Sequence, residues 1–391
     1  MNYKETLFFI AKCLTISLED KNIQAIEAQL QAETIDWDTV VKLSTSNYVF
    51  PAVYCNLKRV DFLKYLPIDL VAYMMYITEL NRDRNLKIIE QAKKLNKLLL
   101  ANNIRPIFLK GTGNLLEGLY EDVGERMVGD IDFLFSEKDF FKAIDILKKD
   151  NYSKLEGQLD YFQGFRHYSR LVKPANIAAV EIHKEVTIEK YRGEFNYKII
   201  SEDAQLINDF SVLSFENQLS LSIISSQIND YGFELKNFSL RNAYDVFLLS
   251  KKVDTKKAIS NFTKLKNPLN SFLANCNFVF GDLESLKYHK TKEVENYGLS
   301  QQQAAQASVF LGSVLKQYGF SVSESADQTQ RLVTLAQDLA TTYGYDVQDS
   351  LLAITALFRG EYDPIEKFGV AMKQNEINAY LAAQGLGDLT G

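Results

Sequence analysis

Two aspartates one residue apart, in Asp130-Ile131-Asp132, open an apolar run that continues through Phe133, Leu134 and Phe135. Alternate residues of a strand point to one face, so both carboxylates project together while Ile131 and Phe133 face the other way. Aspartate is disfavoured in strands, and two side by side repel each other; a divalent cation relieves that repulsion. Magnesium prefers oxygen ligands and often takes one or two carboxylates together with substrate phosphates. Glu181 sits in a second strand-like run, residues 178–183. If the two strands are neighbours, Glu181 completes a three-carboxylate cluster suited to metal-assisted phosphoryl or nucleotidyl transfer. A third short apolar run, residues 106–109, ends at Lys110-Gly111. Gly111 and Gly113 would let backbone amides approach a phosphate at the start of the following helix. Lys110 and Arg126 are candidate partners for phosphate charge.

Each of these features also has an ordinary structural reading. A lone Asp-x-Asp is common in turns and solvated edges, and Lys-Gly after a strand says little. Glu181-x-His183 fits an exposed edge strand with His183 a structural histidine.

The elements that must position these residues follow from periodicity. Residues 1–100 read as helices, most clearly where apolar positions recur at three-to-four spacing from Leu86 to Leu99. The period then changes. Strands are expected at 106–109, 131–135 and 178–183, and helices at 114–120 and 140–147. From 214 to 280 the pattern is helical again. The fold class expected is α/β (α+β), a small mixed sheet with helical flanks, followed by an all-α C-terminal module. The boundaries are 1–100, a helical N-terminal region; 101–200, the chemical core; 201–288, a helical region completing it; and 296–391, a separate helical module.

Composition supports a break near residue 296. Of 44 basic and 50 acidic residues, five and ten lie from residue 296 onward, so 39 and 40 remain before it. The first part is nearly neutral and lysine-dense, the tail acidic and rich in Gln and Ala. The formal net charge of -6 gives no sign of general nucleic-acid binding. The three cysteines, Cys13, Cys55 and Cys276, are odd in number and scattered. They read as core residues of a protein of the reducing cytoplasm. No apolar run reaches the roughly 18 residues that span a bilayer, and residues 7–11 read as part of an amphipathic first helix.

Taken in order, Leu109-Lys110-Gly111, Leu119-Tyr120, Arg126, Gly129-Asp130-Ile131-Asp132-Phe133-Leu134 and Val180-Glu181-Ile182-His183 resemble the uncharacterised nucleotidyltransferase family of the polymerase-beta-like superfamily. Trp37, Val49-Phe50-Pro51 and Leu240-Arg241-Asn242-Ala243-Tyr244-Asp245 extend the resemblance over roughly residues 1–285. It implies a nucleotidyltransferase fold using magnesium or manganese and a nucleoside triphosphate such as ATP. Asp130, Asp132 and Glu181 would be catalytic and would bind the metal. Lys110, Gly111, Thr112, Arg126 and His183 would contact the nucleotide. The acceptor would be a hydroxyl of RNA or protein, and some members of the superfamily act as toxins. Gly111-Thr112 stands where the superfamily has Gly-Ser or Gly-Gly, with a longer spacer, residues 113 to 129, before Asp130. The third carboxylate is Glu rather than Asp. The segment 162–170, with its aromatic and basic residues, is the nearest approach to a single-stranded RNA surface, and equally fits a hairpin with surface basics.

The tail from 297 to 391 resembles a piece of a phage tail tape-measure protein. Residues 332–340, 345–347, 353–361 and 364–369 carry that resemblance. An artificial fusion of an enzyme with a phage peptide that it binds, an antiphage effector with its trigger, is one explanation, and a natural or assembly-derived gene fusion without coupling is another. The rival to the enzyme is a catalytically silent binding module that recognises a phage structural protein.

Overall fold

The computed structural model describes residues 1, 3–154 and 165–291, and beyond these 332, 335, 336, 339, 347–357, 363–366 and 368. The segment 155–164, and with it Phe162 to Gly164, lies outside the described residues. So do about half of the tail positions that carry the tape-measure resemblance. The chain divides into two compact units. One is Met1–Asp230 with Ser239–Val294, and the other is Tyr231–Phe238 with Glu295–Gly391.

The first unit begins with α1 (Tyr3–Cys13), α2 (Asp20–Gln31), α3 (Trp37–Ser46), α4 (Phe50–Arg59) and the long α5 (Ile68–Ala101). Asp36 caps α3 by accepting from the Thr39 amide, and Pro51 occupies the first turn of α4, where its missing N–H costs nothing. Cys13, Cys55 and Cys276 are free and buried, and burial pushes the Cys55 thiol up to about 12. They behave as small apolar core residues. No described helix is long and apolar enough to cross a membrane.

The sheet follows: β1 (Ile107–Phe108), β2 (Asp130–Leu134), β3 (Ser153–Lys154), β4 (Leu171–Val172), β5 (Ala179–His183), β6 (Gln205–Ile207) and β7 (Phe210–Val212). Among the described residues they form one mixed sheet in the order β3-β4-β5-β2-β1-β7-β6. The three strands expected from sequence are its centre. Four more, of two or three residues each, are too short to show a period. The centre is held by apolar residues on one face. Ile131, Phe133, Val180 and Ile182 are all fully buried, and the Phe108 and Phe133 rings meet edge to face at 4.9 Å.

Helix α6 (Lys110–Glu117) starts earlier than periodicity indicates and stops earlier too. Gly118 ends it in the left-handed conformation, φ 78°. The residues 110–113 are therefore the first turn of the helix, not a loop before it. A Cβ on Gly113 would lie 2.8 Å from the Phe108 carbonyl oxygen, and one on Gly111 would lie 2.9 Å from a Val128 methyl. Both glycines thus serve the close packing of α6.

Helices α7 (Glu137–Lys149), α8 (Tyr197–Glu202), α9 (Phe215–Ile224), α10 (Leu240–Ser250), α11 (Thr255–Ala258) and α12 (Lys266–Phe280) complete this unit. Helix α9 continues into a π-helical turn, Ser225–Asn229, closed by a bond from the Asp230 amide to the Ser225 carbonyl at 3.1 Å. The second unit has its own apolar cluster, in which Leu235 joins Ala336, Leu351, Ile354, Ile365 and Phe368.

Candidate functional site

Asp132 and Glu181 are register partners on the parallel strands β2 and β5, Asp132 against Glu181 and Leu134 against His183. Parallel neighbours in register present matching residues to the same face. Asp130, Asp132, Glu181 and His183 therefore share the face opposite the apolar one. One ligand atom each from Asp132, Glu181 and His183 lies within 4.8 Å of the others, and all three residues are buried.

Two basic side chains hold the carboxylates. Lys110 Nζ lies 2.7 Å from Asp132 Oδ1 and 3.9 Å from Glu181 Oε2. Its backbone is left-handed, φ 51°, uncommon for a residue with a side chain; this turn leads from β1 into α6. Arg170 Nε donates to Glu181 Oε1 at 2.6 Å, and its Nη2 lies 2.9 Å from Asp130 Oδ2. Arg170 reaches that face by alternation from Leu171, whose pairing with Val180 sets Arg170 opposite Glu181, and a bulge separates it from His167. His167 bridges His183, and Leu171 pairs with Val180, both antiparallel. Four steps on one chain thus oppose three on the other, and the extra residue brings His167 to the acidic side as well.

His183 Nε2 lies 2.9 Å from Asp132 Oδ1 and 3.5 Å from Glu181 Oε2. A carboxylate only accepts, so Nε2 carries a hydrogen. Nδ1 is buried without a hydrogen-bond partner among the described residues. Thr112 donates from its hydroxyl to the Asp130 carbonyl at 2.9 Å, pinning α6 to the head of β2.

Electrostatics separate the three acids. Burial opposes ionisation of Glu181, but the His183 hydrogen bond and the Lys110 charge outweigh it and hold the carboxyl well below the usual range. Asp132 follows the same pattern: Lys110 and then His183 overcome burial and lower it. Asp130 is raised, because burial, with the neighbouring Glu181 and Asp132 charges, exceeds the pull of Arg170. Lys110 is held charged: burial disfavours its ammonium, and Asp132 and Glu181 more than compensate.

A cavity of about 410 Å³ opens beside the cluster. Its wall includes Arg126, Ser225, Asn229, Arg241 and Asp245. Arg126 is deeply buried and forks onto Asp245, Nε to Oδ1 at 3.0 Å and Nη2 to Oδ2 at 2.9 Å, while its Nη1 donates to the Met127 carbonyl. Tyr120 donates to the same Asp245 at 2.7 Å, and Asn81 and Asn85 donate to the Arg126 carbonyl.

The structure thus brings Lys110, Asp130, Asp132, Glu181 and His183 into direct contact or one step from it. Gly111 and Arg126 line the same cavity, and Thr112 stands behind Asp130. Sequence reasoning missed Arg170, the π turn and Arg241. Arg170 lay in the basic segment 162–170, but that it meets Glu181 depends on the pairing of Leu171 with Val180, which one segment does not reveal. Arg241 stood in a quoted motif without a role.

The donor set suits a divalent cation, with three carboxylates on one strand face and beside them His183, whose Nε2 becomes a ligand only once its hydrogen is lost. No curated protein and no solved structure shows a significant match to this chain. The sequence profile of the uncharacterised nucleotidyltransferase family, however, matches residues 33–279 and so takes in the sheet, the acidic cluster and the cavity wall. With more than half its length matched, the chain belongs to the uncharacterised nucleotidyltransferase family.

Proposed function

We propose that the protein transfers a nucleoside monophosphate from a nucleoside triphosphate to a hydroxyl of RNA or protein, with magnesium or manganese bound by Asp130, Asp132 and Glu181. The observation that carries this reading is the in-register pairing of Asp132 with Glu181 on adjacent strands, in a chain of this family. The ion would supply charge stabilisation to the reacting phosphate. Lys110 and Arg170 bracket the carboxylates and provide the positive charge there. Arg170 is nearly half exposed and can swing away as an ion enters, whereas Lys110 is the more confined. His183 orients Asp132 through Nε2 and offers a further donor.

In the reaction the acceptor oxygen attacks the α-phosphorus, the bond to the β-phosphate oxygen breaks, and pyrophosphate leaves. The acceptor's proton passes to solvent. Glu181 is a poor base for it, since His183 and Lys110 hold its carboxyl ionised. Arg126 would act on phosphates by its charge alone, because its fork is engaged with Asp245. Gly111 and Thr112 support the nucleotide contact by fixing the first turn of α6 against β2. A role as toxin or antiphage effector, and a tape-measure origin for residues 296–391, rest on the sequence resemblance alone.

The test is transfer of label from each α-labelled nucleoside triphosphate, with magnesium or manganese, to RNA and to protein. Label dependent on Asp132 and Glu181 supports the reading, and its destination gives the acceptor. No transfer with any nucleotide would favour the binding-module alternative.

A further inference from the structure

One wall of the cavity carries polar groups that nothing in the acidic cluster uses. Arg241 faces the cavity from the first turn of α10. Its guanidinium lies over the Tyr48 ring, 5.0 Å from the centroid, and its buried Nε has no hydrogen-bond partner. The nearby carboxylate, Asp245, is already taken by the fork of Arg126 and by the Tyr120 hydroxyl. Burial, and then the neighbouring Arg126 charge, push the Arg241 guanidinium below its usual range. Asp230, on the same cavity wall, acts on this cation by charge but leaves its Nε donor unfilled; an anion entering the cavity would supply the missing acceptor.

The π turn adds two more unmet groups. Ser225 Oγ and Asn229 Oδ1 are buried without partners, while the Asn229 amide nitrogen is fixed on the Val186 carbonyl at 2.9 Å. The π turn forms the C-terminal end of α9 and places both residues on the cavity wall. Buried polar atoms without partners are exceptional in native folds. The three groups differ in need: Arg241 Nε requires an acceptor, Asn229 Oδ1 requires a donor, and Ser225 Oγ takes either. A bare inorganic anion meets only part of that set. A nucleotide meets all of it, with phosphate oxygens for Arg241 and Ser225 and a sugar hydroxyl for Asn229.

We propose that Arg241, Ser225 and Asn229 form the subsite that holds the non-reacting phosphates and sugar of a nucleoside triphosphate, in the cavity that Asp132 and Glu181 also line. This rests on the nucleotidyl-transfer reading and deepens it, since it assigns the triphosphate grip to the helical wall rather than to the turn at Lys110-Gly111.

The test is calorimetric titration of the full chain with magnesium and inorganic tripolyphosphate, then with each nucleoside triphosphate and its parent nucleoside. Arg241→Gln is expected to weaken tripolyphosphate and the bound nucleotide tenfold or more while leaving nucleoside binding unchanged, and Ser225→Ala to weaken both phosphates severalfold. Tripolyphosphate affinity within twofold of the unaltered protein in Arg241→Gln overturns the subsite, as does failure of the unaltered protein to bind any triphosphate. Should Arg241→Gln lose its cooperative melt, Arg241→Lys serves instead, because it keeps the charge and removes the Nε donor; unchanged affinity there also overturns the proposal. The two readings separate cleanly. Arg241-dependent phosphate binding without any transfer sinks the transferase and keeps the subsite. Asp132-dependent transfer with an unchanged triphosphate KM in Arg241→Gln does the reverse.

Discussion

Arg170 bridges Asp130 and Glu181, donating through Nε to one and pairing through Nη2 with the other. Its guanidinium neutralises two of the three carboxylates, on a side chain nearly half exposed to solvent. A metal ion and this guanidinium therefore compete.

Removing that competitor has a definite sign. Arg170→Ala is expected to tighten manganese binding by up to about tenfold, the size of one screened charge-assisted contact. Electron paramagnetic resonance of free manganese during titration measures it. Weaker binding in the variant would mean that Arg170 supports the ion site instead of guarding it.

Loss of the carboxylates has the opposite sign. For Asp132→Asn and Glu181→Gln, transfer should disappear and the stabilisation by magnesium should vanish with it. An ion present at about 100 times its Kd adds roughly 2.7 kcal/mol to the unaltered fold, and a chelator should reverse that in a thermal melt. Equal metal-dependent shifts in both variants and in the unaltered protein would count against this ion site.

The Arg126–Asp245 pair is structural support for the cavity. Asp245→Ala leaves a buried guanidinium without its partner and a Tyr120 hydroxyl without its acceptor. The expected cost is about 3–5 kcal/mol, read by denaturant unfolding of the full chain. Tyr120→Phe removes two hydrogen bonds, the one given to Asp245 and the one accepted from Asn114, and should cost about 1–3 kcal/mol.

Gly113 offers a test of close packing. Alanine in a helix interior ordinarily gains up to about 1 kcal/mol over glycine, but here its Cβ would meet a backbone carbonyl oxygen at 2.8 Å, which cannot turn aside like a flexible side chain. Overpacking costs about 1–3 kcal/mol, so Gly113→Ala should destabilise. A stabilised variant would show that α6 can shift away from β1.

The sequence by itself determined the three central strands, the alternation that puts Asp130 and Asp132 on one face, and the family of the chain. Those features are local: a strand's period is two, and an acidic pair on an apolar strand is visible without a partner. Tertiary structure alone decided that β5 lies beside β2 in the register that sets Glu181 against Asp132. It also decided that the pairing of Leu171 with Val180 sets Arg170 against the carboxylates, and that Arg126 is bound to Asp245, 119 residues away. Strand order, register and ion-pair partners depend on residues far apart in the chain. Short strands such as Ser153–Lys154 exist only because a neighbour supplies their hydrogen bonds. No periodicity within one segment can encode such partners, since their free energy comes from the contact itself.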